Sequence, residues 1–156
     1  MPKRAFGEWE FDPIAETGIK VRKEDRAQAL EEVAEYVKEE ILNRTGDGKT
    51  SVEGGRWVRG LTKGYAKVKA EESSVDFANL ELEGDMLDSL KTGVAGKKVF
   101  VEVGEDERGK AEGHLTGKYG KKSDIRPRQF MPVGGQKLSR PIMDGVRKIL
   151  RRYEEE

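Results

Sequence analysis

Asn79–Leu90, NLELEGDMLDSL, decides how the rest of the chain is read. Leu80 and Leu82 alternate with polar residues, the two-residue period of a short half-buried strand. Gly84 breaks that period, and Asp85 follows as a helix N-cap whose carboxylate can accept an orphan backbone N–H. Met86, Leu87 and Leu90 then fall at helical spacing and form one apolar stripe. Gly93 is placed to close the turn. Next comes KKVFVEV, with Val99, Val101 and Val103 on one face of a second strand.

Strands this short need cover, because an isolated strand pair is marginal in water. Two segments can supply it. Asp25–Asn43 carries Leu30, Val33, Ala34, Val37 and Ile41 as a helical stripe, with Asp25 and Gln28 spaced for a capping box. Ser139-Arg140-Pro141 opens a last helix, with proline in its first turn and Ile142, Val146, Ile149, Leu150 and Tyr153 on one face. The expected fold is α+β: a small antiparallel sheet with two or three amphipathic helices packed on one face. Leu87, Leu90, Ile149 and Leu150 are its expected core.

The remaining segments read more weakly. Trp9 and Phe11 alternate as an edge strand, and Asp12-Pro13 signals a turn. Thr45–Gly55, TGDGKTSVEGG, is a loop by composition, long enough to be either flexible or engaged elsewhere. Arg56–Glu72 places Trp57, Leu61, Tyr65 and Val68 on one helical face among Arg59, Lys63, Lys67 and Lys69. Gly60 and Gly64 weaken that helix by about 1 kcal/mol each relative to alanine. It reads either as a marginal helix on the core or as an arm that docks on a neighbour. GEDERGK, residues 104–110, is a hairpin-like turn. Arg126–Val133, RPRQFMPV, is an extended segment that Pro127 and Pro132 confine to an edge or loop. The final glutamates are expected to fray.

Composition narrows the function. The 156 residues are read as one domain, 1–156, with a core of modest size. Charged residues reach 38% of the chain, well above the usual quarter, while the net charge is zero. No global field therefore draws it to nucleic acid or membrane. There is no cysteine, hence no disulfide framework, and no apolar run of membrane-spanning or signal-peptide length. The expectation is a soluble protein made in the cytosol.

The charge is segregated. Residues 71–107 hold eleven acids against three lysines, and residues 108–152 hold thirteen bases against three acids. The two segments can pair within one chain, or head to tail between copies in a ring.

Chemical motifs are few. Gly48-Lys49-Thr50 ends like a phosphate-binding loop, but Asn43 occupies the position of its first glycine and a helix precedes it. Asp85 and Asp88 are better placed to cap and complement a helix than for acid–base work. His114 is the sole histidine, too little for a zinc site, and no serine sits in a nucleophile elbow. No catalytic, cofactor-binding or metal residues are expected, and no enzyme activity.

Several motifs together carry a resemblance. Gly84, Leu87, Ser89 and Leu90, then the valine strand, then Ala111, His114 and Gly117, then Arg126, Arg128, Phe130 and Met131 before a closing helix follow one another in order. In this the chain resembles the phage virion-morphogenesis and tail-completion families, over roughly residues 57–150. Glu83 stands where those families have threonine, and Gln129 separates Arg128 from Phe130. The resemblance implies a structural protein of the head–tail joint, located in the virion neck or tail and in the host cytoplasm during assembly. It implies a homo-oligomeric ring, expected to be hexameric, that meets connector or tail-tube and terminator proteins and passes DNA only as cargo. Trp57, Leu61, Tyr65, Lys69, His114, Arg126, Arg128 and Phe130 become its assembly-interface candidates. The alternative from the residues alone is a small nucleic-acid-binding module that uses the basic C-terminal third, with Tyr119 and Phe130 as stacking groups. It has no recognisable groove-reading motif.

Overall fold

The computed structural model describes residues 8–55, 88–104 and 129–155. The fold is α+β, a three-stranded antiparallel sheet with helices packed against it. In chain order the elements are β1 (Glu8–Phe11), α1 (Pro13–Thr17), a 3-10 turn (Lys23–Asp25), α2 (Arg26–Gly46), β2 (Lys91–Ala95), β3 (Lys98–Glu102) and α3 (Arg140–Arg151). The strand order is β1-β3-β2. Both outer strands run antiparallel to β3 and so parallel to each other. The chain thus leaves β1, passes through α2, and returns as the opposite edge before Gly96-Lys97 turns it into the centre.

Alternation decides which face is buried. Trp9 pairs with Val101 and Phe11 with Val99, while Thr92 and Val94 meet the same two valines from the other side. Trp9, Phe11, Val99 and Val101 are all buried, and the Trp9 and Phe11 rings stack with centroids 4.9 Å apart. The polar end of Trp9 is satisfied as well: its Nε1–H donates to the Gln136 carbonyl at 3.1 Å. On α2 the whole expected stripe, Leu30, Val33, Ala34, Val37 and Ile41, is buried. On α3 the buried residues are Ile142, Met143, Val146, Ile149 and Leu150. Helix α2 packs against β2, β3 and α3 together, so one hydrophobic cluster joins all the described layers. Leu90 and Val103, at the margins of β2 and β3, belong to that cluster.

Helix α3 approaches α2 closely at Gly145. The Tyr36 ring lies directly over that glycine, where any side chain would collide with the phenol. Burial pushes the Tyr36 hydroxyl up to about 12, and its hydrogen bond with Glu40 acts in the same direction.

Several local expectations are corrected. Asp12-Pro13 does not simply turn the chain but starts α1, with Asp12 Oδ1 accepting from Ala15 N–H at 2.9 Å. The capping box at Asp25 does not form. Its backbone is already helical, and its carboxylate lies 2.7 Å from Arg22 Nε instead. Helix α2 continues to Gly46 and so takes the first two residues of the expected loop. Gly93 closes no turn. It lies within β2 opposite Phe100, whose ring crosses it so closely that an added Cβ would sit 2.6 Å from Cζ. The C-terminal residues before Glu156 are held. Arg22 N–H donates to Tyr153 O at 2.9 Å, Glu155 N–H donates to Lys20 O at 2.7 Å, and Glu154 bridges Val21.

The strand expected at Leu80 and Leu82, the first half of the Asp85–Leu90 helix including Leu87, the arm at 56–72 and the turn after Gly104 lie outside the described residues.

Candidate functional site

Of the eight interface candidates, Trp57, Leu61, Tyr65, Lys69, His114, Arg126 and Arg128 also lie outside the described residues. Phe130 lies within them, and its side chain is fully buried in the core. Its ring is therefore not an open contact on this chain. What the geometry offers at Phe130 is an anchor for the sequence that precedes it.

That anchor is built from the end of the expected loop. Thr50 Oγ1 donates to Gln129 O and Ser51 Oγ donates to Phe130 O, each at 2.5 Å. Ser139 N–H donates back to Ser51 O at 2.8 Å, and Glu53 N–H donates to Lys137 O at 2.8 Å. Val52 bridges Leu138, and both side chains are buried. Residues 50–53 thus form a clip that grips 129–139 at both ends.

Buried carbonyls require such partners, since an unpaired one costs roughly 1–3 kcal/mol. Between the gripped ends, Gln136 Oε1 accepts from Val133 N–H at 3.1 Å and closes the turn internally. Phe130 and Met131 project from it into the core. The clip also caps α3. Ser139 makes no side-chain cap, and Glu53 Oε2 accepts from Arg140 N–H at 2.9 Å in its place. A carboxylate at a helix N-terminus is favoured by the exposed N–H groups and the macrodipole.

The clip also excludes a phosphate-loop reading of Gly48-Lys49-Thr50. The segment follows a helix, and the Thr50 hydroxyl is already directed at Gln129. Sequence reasoning missed Thr50, Ser51 and Glu53 as anchors. The available signal was Val52, an apolar residue isolated in an otherwise polar loop.

Some described charges of the C-terminal third have partners in the N-terminal third or nearby in the chain. Among the described residues, Arg152 pairs with Glu32 at 3.0 Å and Lys137 with Glu16 at 3.8 Å, both acids of the N-terminal third. Arg147 and Arg151 pair locally with Asp144 and Glu154. These pairs are solvent-facing, so each contributes at most about 1 kcal/mol. Tyr153 also donates its hydroxyl to Glu32, and this bond raises its pKa above the ordinary tyrosine value.

Two open grooves are formed by described residues alone. One, of about 440 Å³, runs beside α2 and is lined by Glu31, Glu35, Glu39, Tyr36, Ile149 and Arg152, among others. The other, of about 470 Å³, lies at the start of α3 among Glu16, Glu53, Lys137, Arg140 and Arg147. Neither lining contains a serine, threonine, cysteine or histidine. Among the described residues no group of His, Cys, Asp and Glu could hold a metal ion, and no helix is long and apolar enough to cross a membrane.

Comparisons with protein-family models, with curated proteins and with solved structures return no match.

Proposed function

We propose that the chain is a structural protein of a phage or prophage head–tail joint, which assembles as a homo-oligomeric ring around the DNA channel. The resemblance of the 57–150 motifs to the virion-morphogenesis and tail-completion families is the origin of this reading. The observation that carries it is the clip. Thr50 and Ser51 fix the carbonyls of Gln129 and Phe130, directly after Arg126-Pro127-Arg128. A partner-binding segment gains affinity when its root is held in place, because less freedom is lost on association. Pro127 and Pro132 restrict the backbone on either side of that root. In this reading the core holds Phe130 and Met131, and the two arginines meet the neighbouring copy or the connector.

Zero net charge and the lack of a recognisable groove-reading motif favour this reading over nucleic-acid binding. The test is negative-stain imaging with sedimentation analysis of the concentrated protein. Rings with a central opening are expected, and Arg128→Ala should lose them while melting at the wild-type temperature. A protein that stays monomeric at every concentration and is absent from purified particles would contradict the proposal.

A further inference from the structure

We draw no further inference here: the strongest candidate, the row of carboxylates Glu31, Glu35 and Glu39 on the solvent face of α2 beside the groove floored by Tyr36 and Ile149, is an acidic cluster with no second observation that points to a ligand, and nothing in the structure shows what covers it.

Discussion

Helix α2 and the 50–53 clip are both parts of the same core, but they are held there by different means. In α2 the buried side chains recur every three or four residues, and the backbone hydrogen bonds close within the helix. In the clip, one apolar side chain is buried, and the polar groups around it bond to residues about eighty positions away. The first kind of burial can be read from a window of a dozen residues. The second depends on two distant segments meeting, and its donors are a threonine and a serine that would suit any exposed loop. A polar, glycine-rich composition therefore says little about whether a segment is anchored.

The contrast can be broken at its strongest point by truncating apolar side chains. Leu90→Ala and Ile142→Ala remove nearly or fully buried groups from the cluster that joins the sheet to α2 and α3. Each should cost roughly 2–5 kcal/mol in chemical denaturation, enough to unfold a marginal domain. If both were silent, the packing of the layers described above would be wrong.

The clip should respond to a change that alters almost no volume. Ser51→Ala leaves the Phe130 carbonyl buried without its hydroxyl donor. A loss of about 1–3 kcal/mol is expected in the same denaturation experiment. An unchanged midpoint would mean that the clip rests on the core without holding it.

How far the sequence revealed the fold follows the same division. The stripes of α2 and α3, the Val99–Val103 face and the Trp9–Phe11 edge strand were all legible, because each is a local period of apolar residues. Gly93 was misread because a glycine after a helical stripe ordinarily ends a helix. Here it lies under the Phe100 ring across a strand pair that no local pattern announces. The C-terminal residues were misread for a similar reason. A run of glutamates suggests fraying, whereas two backbone hydrogen bonds to residues 20–22 hold them. Of the candidate site, only residues 129–133 of the expected extended segment are described, and there Phe130 is buried and not open to a partner. An aromatic next to arginines reads as a contact for a partner, whereas here its ring is buried in a core completed by distant segments, and its carbonyl is held by Ser51, 79 residues away.

A smaller effect, of opposite sign, distinguishes α2 from the clip. Thr45 is fully buried near the end of α2, and among the described residues its hydroxyl has no hydrogen-bond partner. The buried hydroxyl of Ser51 in the clip is bonded. Thr45→Val keeps the shape and removes an unpaired polar group, so it should stabilise the protein by about 1 kcal/mol. A clear destabilisation would show that the hydroxyl is satisfied in solution.

Amide hydrogen exchange in the intact protein measures most directly whether the clip is part of the core. The informative donors are Glu53 N–H, bonded to Lys137 O, and Ser139 N–H, bonded to Ser51 O. If these segments are as integral as α2, both amides should exchange only through global unfolding, at the same free energy as the Val33 and Val37 amides in mid-helix. Exchange of Glu53 and Ser139 at rates typical of an open loop, with Val33 and Val37 still protected, would contradict the account.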